Sequence, residues 1–238
     1  MILLALLLAM GGAAAEDSGR LMAFQNPDAP LSVPGAHEAE GDGYFADAVF
    51  IGDSMVDDME MFDLFPTANY VCRIGMSPLS VGRKQFRVKD SNALETTYEQ
   101  AARYQPRKLY VLLGSNSLDH KTSDVTLQEY ETMADELIAA FPEALIYVIS
   151  PPPLTKARTA KEVGVSPGRY RNFEAGLRAL AEERRFYYID LYHLIADEEG
   201  YMPGRLSAGD GYHLNRTGYT MLADYIRTHT VPYPEENE

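Results

Sequence analysis

Ala48-Val49-Phe50-Ile51-Gly52-Asp53-Ser54 is an apolar run that stops at a small polar turn. The run is short and β-branched, and beyond it Met55, Met59, Phe62 and Leu64-Phe65 recur at roughly helical spacing. The stretch predicts a strand, a tight turn and a helix, with Ser54 at the carboxyl edge of the strand and near the helix N-terminus. Unpaired backbone N–H groups at such a position favour developing negative charge, which suits a nucleophile. A serine there also caps helices without doing chemistry, so this stretch alone leaves both readings open.

Outward from this unit, apolar runs alternate with helical patterns. Strands are predicted at residues 48–51, 69–74, 109–113, 145–149 and 186–191, with 85–88 as a further short one. Helices are predicted from Ser54 to about residue 65, closed by Pro66, and over 93–104, capped by Asn92. Further helices span 126–141, with Leu127, Tyr130, Met133, Leu137 and Phe141 on one face, and run from the cap-and-proline pair Ser166-Pro167 to about 185. A last helix covers 217–227. Strands alternating with helices of this length imply a parallel sheet covered on both faces. The expected class is α/β, a three-layer α/β/α domain around a five-stranded parallel sheet.

The 238 residues, 46% hydrophobic and 24% charged, fit one soluble domain, and a formal charge of −14 repels nucleic acid and anionic membrane surfaces. Met1 to Ala15 carry no charged side chain and hold an apolar core, Ile2 to Met10, followed by Gly11-Gly12-Ala13-Ala14-Ala15. This reads as a signal peptide without its usual basic start, too short to span a bilayer as a helix. The expectation is cleavage near Ala15 and Glu16, a secreted or extracytoplasmic product, and no stable membrane insertion. Residues 16–45 read as an extended leader, 46–230 as the folded domain and 231–238 as a tail. Cys72 is the only cysteine, which excludes an internal disulfide and a cysteine-based zinc site, and its place after Tyr70-Val71 suggests a buried small hydrophobe.

In an open parallel sheet, ligands bind outside the carboxyl ends of the strands. Ser54, Gly75, Asn116, and Asp210 with His213 fall at such ends. Each has an ordinary reading as a cap, a turn former or a surface histidine. Together they supply a nucleophile, a base, an orienter and oxyanion donors.

These residues resemble the SGNH or GDSL hydrolase family block by block. Gly52-Asp53-Ser54 is similar to its nucleophile block, Gly75 to its glycine block, Gly114-Ser115-Asn116 to its Gly-X-Asn block, and Asp210-Gly211-Tyr212-His213 to its Asp-X-X-His block. Order and spacing agree over residues 46–227. Two positions depart from the pattern: Ser117 stands where the family commonly has aspartate, and Met55 where its name expects leucine. The resemblance implies a flavodoxin-like fold and serine ester hydrolysis. His213 would take the Ser54 proton, and Asp210, three residues earlier, would orient the imidazole from its far nitrogen. The oxyanion would be held by the N–H groups of Ser54 and Gly75 and by the Asn116 amide. No cofactor and no metal site is expected.

His120, His193 and His229 are read as surface or structural, without a carboxylate partner at diagnostic spacing. Asp53, Asp57 and Asp58 are read as acids that favour a helix start. The leading expectation is an exported esterase removing acetyl or similar short acyl groups from carbohydrate. A lipase or lysophospholipase is the second reading, and a catalytically silent glycan-binding module the third. Two segments are strongly basic: Arg73, Arg83, Lys84, Arg87 and Lys89 with no acid among residues 73–89, and Lys156, Arg158, Lys161, Arg169 and Arg171 against Glu162. They are either solvated loops or a cationic rim that binds an anionic glycan ester, with Arg83, Lys84, Lys156 and Arg158 as the contacts.

Overall fold

The structure is a computed structural model and describes residues 34–89, 91–161 and 164–231. The predicted signal peptide, the leader up to residue 33 and the tail from 232 lie outside the described residues. In chain order the regular elements are β1 (Ala48–Gly52), α1 (Ser54–Met61), β2 (Asn69–Cys72), β3 (Gln85–Arg87), β4 (Leu94–Thr96), α2 (Thr97–Ala102) and β5 (Lys108–Leu112). They continue with α3 (Ser115–Leu118), α4 (Ser123–Ala140), β6 (Leu145–Ile149), α5 (Lys156–Thr159), α6 (Pro167–Arg184), β7 (Tyr187–Ile189), α7 (Leu191–Ile195) and α8 (Arg216–Thr228).

Five strands pair in parallel in the order β2-β1-β5-β6-β7. Counted by sheet strands this is 2-1-3-4-5, the flavodoxin-like order, and the direction of winding reverses between β1 and β5. That reversal leaves a crevice at the carboxyl ends of those two strands. β1 and β5 are buried along their whole length, because helices cover both faces of the sheet. On one side α1 meets α8, with Phe62 and Tyr219 in ring contact at 5.4 Å. On the other α4 packs on α6, with Tyr130 edge-on to Phe173 at 5.8 Å.

One row of the sheet is aromatic across all five strands. Tyr70, Phe50, Tyr110, Tyr147 and Tyr187 are register partners in turn, with ring centroids 5.4, 4.7, 4.4 and 5.0 Å apart. Such pairs contribute about 0.5–1.5 kcal/mol each beyond their burial. The row pins the strand register, since a slip by one residue would turn every ring to the opposite face.

Several boundaries differ from the sequence expectation. The helix at 93–104 is instead the strand β4 followed by α2, and its cap is Thr96 rather than Asn92. Glu99 N–H donates to Thr96 Oγ1 at 3.2 Å while Thr96 N–H donates to Glu99 Oε2 at 2.7 Å, a reciprocal capping box. β4 pairs with β3 as a separate antiparallel hairpin. α1 ends at Met61, which lets Phe65 fold back and stack on Phe50 at 4.8 Å. β2 ends at Cys72, because Arg73 to Met76 form a turn closed by Met76 N–H on the Arg73 carbonyl at 3.0 Å. The last part of the expected leader is fixed to the domain. His37 and Glu40 N–H groups donate to Thr228 and Arg227 carbonyls at 2.9 Å each, and Phe45 is fully buried.

Candidate active site

Gly52 ends β1, and the chain must turn there directly into α1 beside β5. A Cβ at that position would sit 2.3 Å from Val56 Cγ2 and 2.5 Å from the Leu112 carbonyl oxygen, so only glycine fits. Asp53 is the N-cap, accepting from Met55 N–H at 3.0 Å, and Ser54 opens the helix half-buried at the crevice. Its N–H is one of the donors that a helix start cannot satisfy internally.

Ser54 Oγ lies 2.9 Å from His213 Nε2. On the far side of the ring, His213 Nδ1 lies 2.6 Å from Asp210 Oδ2. An ionised carboxylate only accepts, so Nδ1 carries the proton and the Nε2 lone pair faces the serine hydroxyl. Asp210 Oδ1 meanwhile accepts the N–H groups of Tyr212 at 2.8 Å and His213 at 2.9 Å, which ties the loop to the carboxylate. Burial opposes the ionisation of Asp210, but the bonds from His213 and these two N–H groups outweigh it and hold its carboxyl below the usual range. The loop is further fixed by Thr155 N–H on the Gly211 carbonyl at 3.0 Å and by Ala208 N–H on the His213 carbonyl at 2.9 Å.

Gly75 occupies the third position of the Arg73–Met76 turn with φ +76°, a conformation that favours glycine. The same turn is anchored to β1, since Arg73 N–H donates to the Gly52 carbonyl at 3.1 Å. Asn116 is on α3, just beyond β5. Its Nδ2 donates to Asp53 Oδ2 at 2.7 Å and to the Met76 carbonyl at 3.1 Å. The five residues picked out by sequence are therefore joined: one network links Ser54, His213 and Asp210, and another links Asn116 with the Asp53 and Gly75 segments.

The structure also gives roles that sequence spacing did not. Asp53 is nearly fully buried and burial raises its carboxyl to about 6, against the opposing bonds from Met55 N–H and Asn116. Asp58 accepts from Tyr219 Oη at 2.9 Å, and burial raises its carboxyl as well. Ser117, in place of aspartate, donates to the buried Glu129 Oε2 at 2.8 Å, and Lys121 pairs with the other oxygen of that carboxylate. The acid beside α3 thus comes from α4.

His193 has a carboxylate partner after all. Asp190-Leu191-Tyr192-His193 repeats the pattern of Asp210-Gly211-Tyr212-His213, with His193 Nδ1 3.0 Å from Asp190 Oδ2. Asp190 caps α7, and among the described residues no serine hydroxyl meets the His193 ring. Among the described residues, two groups bring three ligand-type atoms within 4.8 Å of one another: Glu174, Asp190 and His193, and Asp57, Glu60 and Cys72. Glu174 accepts from Tyr188 Oη at 3.0 Å. Burial pushes the Cys72 thiol up to about 12, and Lys89 pairs with Glu60 at 3.0 Å. Neither group includes a residue of the Ser54 site.

The basic segments are partly committed to structure. Arg73 donates to the Cys72 and Arg87 carbonyls at 2.5 and 2.6 Å, Lys89 pairs with Glu60, and Arg169 donates to the Leu118 carbonyl at 2.8 Å. Lys156 pairs with Glu199 at 2.6 Å. Arg158 packs against the Asp210–His213 loop, where a Cβ on Gly211 would lie 2.8 Å from its Cβ. Arg83 and Lys84 are exposed.

The model of the GDSL-like Lipase/Acylhydrolase family matches residues 50–221, from within β1 into α8. The chain belongs to this family. It is accordingly a hydrolase, and the matched span holds every residue of the two networks above. No curated protein was found to match it. Its fold is similar to that of a GDSL-like lipase from Bacteroides thetaiotaomicron, at 14% identity and TM-score 0.58, covering 90% of this chain and 92% of that one. It is also similar to a carbohydrate acetylesterase from Sinorhizobium meliloti, at 15% identity and TM-score 0.51, covering 76% and 96%. A lipase/acylhydrolase from Enterococcus faecalis matches at 15% identity and TM-score 0.51, covering 75% and 92%. At these identities the likeness is one of fold. Among the described residues no helix is long and apolar enough to cross a membrane.

Proposed function

We propose that Ser54, His213 and Asp210 are a catalytic triad that hydrolyses carboxylic esters, most suitably short acyl groups such as acetyl on carbohydrate. The observation that carries this reading is the unbroken line from Ser54 Oγ to His213 Nε2 at 2.9 Å and from His213 Nδ1 to Asp210 Oδ2 at 2.6 Å. As Ser54 Oγ attacks the ester carbonyl carbon, its proton passes to Nε2 and the carbonyl electron pair moves onto oxygen. The N–H groups of Ser54 and Gly75 and one N–H of Asn116 meet that oxyanion. The imidazolium, stabilised by Asp210, then protonates the leaving alkoxide and an acyl-serine remains. Water, deprotonated by the same imidazole, releases the acid and restores Ser54. The carbohydrate acetyl preference draws support from the fold likeness to the Sinorhizobium acetylesterase and from the signal-like first fifteen residues, which also suggest export.

A second reading, hydrolysis of longer acyl esters, is favoured by Ile74. This side chain is 81% exposed on the turn that carries Gly75 and offers an apolar surface beside the oxyanion donors. The test is kcat/KM across p-nitrophenyl esters from acetate to octanoate and across acetylated glycans. Peak activity on acetate and on glycan acetyl groups supports the first reading, and a peak at octanoate supports the second. Absence of hydrolysis, together with failure of a serine-directed phosphonate to label Ser54, refutes the triad.

A further inference from the structure

The Asn116 amide has two N–H groups, and both are engaged: one donates to Asp53 Oδ2 at 2.7 Å and one to the Met76 carbonyl at 3.1 Å. An oxyanion at Ser54 needs one of them, so one bond must be exchanged during the reaction. The two acceptors differ. Asp53 is a carboxylate, nearly fully buried, fixed as the cap of α1 through Met55 N–H. Bonds to such an acceptor are shorter and about twice as strong as those to a neutral carbonyl. The Met76 carbonyl is neutral, its bond is the longer, and it belongs to the Arg73–Met76 turn that holds Gly75. Its replacement by a substrate oxyanion trades a neutral acceptor for a charged one.

We propose that Asp53 is a positioning residue of the oxyanion hole: it anchors one N–H of Asn116 so that the other, which rests on the Met76 carbonyl in the free enzyme, is delivered to the oxyanion. The proposal rests on the triad reading above. Asp53 acts through Asn116 and touches no reacting atom. The hole is then closed on itself between turnovers, and the charge that forms in the tetrahedral intermediate is what opens it.

The experiment uses Asp53→Asn, Asp53→Ser and Asn116→Ala in the full chain, with kinetics on p-nitrophenyl acetate and side-chain amide NMR. Asp53→Ser keeps a capping hydroxyl for Met55 N–H but is too short to hold Asn116, so it separates anchoring from helix capping. Both Asp53 variants are expected to lower kcat by about 10²-fold with KM within about two-fold, the signature of an interaction made in the transition state. The double variant Asp53→Asn with Asn116→Ala is expected to be no slower than Asn116→Ala alone, since both changes remove the same donor. In the wild type, the two Asn116 amide protons, assigned by their loss in Asn116→Ala, are expected to respond differently when a phosphonate adduct forms on Ser54. The proton facing Met76 shifts and the one facing Asp53 stays. Multiplying losses in the double variant, a wild-type kcat in Asp53→Asn, or Asn116 amide signals unmoved by Asp53→Asn would each overturn the proposal. If the wild type neither hydrolyses esters nor takes the phosphonate, the triad reading fails, and the response of the Asn116 amide to Asp53→Asn still decides whether the anchor exists.

Discussion

Replacing Asp210 with asparagine isolates what the carboxylate does. In the wild type, Asp210 Oδ1 accepts two backbone N–H groups and Oδ2 accepts His213 Nδ1–H. An asparagine keeps the loop by placing its oxygen on the two N–H groups, and that choice points its NH2 at Nδ1. A donor facing Nδ1 forces the proton to Nε2, which then faces Ser54 as a donor and cannot take its proton. No backbone carbonyl meets the His213 ring among the described residues, so nothing else restores the reactive tautomer. The expected loss in kcat is about 10³- to 10⁴-fold, or about 4–5.5 kcal/mol of transition-state stabilisation. p-Nitrophenyl acetate is the substrate of choice, because its leaving group needs no proton and the rate reports the base. KM and Tm should stay close to wild type, since the loop bonds survive. Asp210→Ala makes the contrast: it frees Nδ1–H for water but leaves two N–H groups without their acceptor, so Tm falls while more activity survives than in the asparagine variant. An Asp210→Asn enzyme that keeps more than about a tenth of kcat would refute the tautomer argument.

Other outcomes follow from the same geometry. Ser54→Ala should abolish ester hydrolysis and phosphonate labelling while leaving the fold intact, as near-UV circular dichroism will report. Asn116→Ala should lower kcat by about 10²- to 10³-fold; a change confined to KM would make Asn116 a substrate contact instead. Burial raises the Asp53 carboxyl to about 6, so its contribution to stability is present below the ordinary carboxylate value and is lost as pH rises through about 6. Relative to Asp53→Asn, the wild type should lose about 2 kcal/mol between pH 4.5 and 7, about 4–8 °C in Tm for a chain of this size, and parallel Tm curves would contradict this. A cationic rim predicts that Arg158→Ala and added salt reduce kcat/KM for an anionic acetylated glycan more than for a neutral one, as the Debye length falls from about 10 Å at 0.1 M to about 3 Å at 1 M; equal responses would dismiss the rim.

The sheet and the Ser54 unit were legible because they depend on local pattern. A buried parallel strand needs an unbroken apolar run, and a nucleophile at its end needs a small residue such as Gly52 to let strand and helix meet. The less legible parts depend on contacts distant in sequence. His37 Nε2 meets the Thr230 carbonyl across 193 positions, and nothing in the composition of residues 34–45 announces that closure. The strand β4, which the expected helix at 93–104 overran, and the cap at Thr96 were misread for another reason, whereas β3 falls where the short strand at 85–88 was expected. Thr96-x-x-Glu99 is a capping signature visible in the sequence, and it competes with the weaker cap at Asn92. Glu129 carried no signal, because an acid on the helical face of α4 reads as solvated until Ser117 and Lys121 are brought to it.

The two Asp-x-Tyr-His segments make the limit of spacing arguments concrete. Each places a carboxylate on the Nδ1 of its histidine, at 3.0 Å in one and 2.6 Å in the other, with the intervening tyrosine ring about 5 Å from the imidazole in both. Spacing alone therefore selects dyads and cannot choose between them. Topology does. Asp190 follows β7, which is three strands from β1 in the order β2-β1-β5-β6-β7, about 14 Å at the usual strand separation of about 4.8 Å. Asp210 sits in the loop before α8, and α8 packs on α1, so His213 is carried back over the start of the helix that Ser54 opens. The last crossover is thus what sets one of two similar dyads against the Ser54 hydroxyl, and moving that serine to the end of β7 would be needed to engage the other.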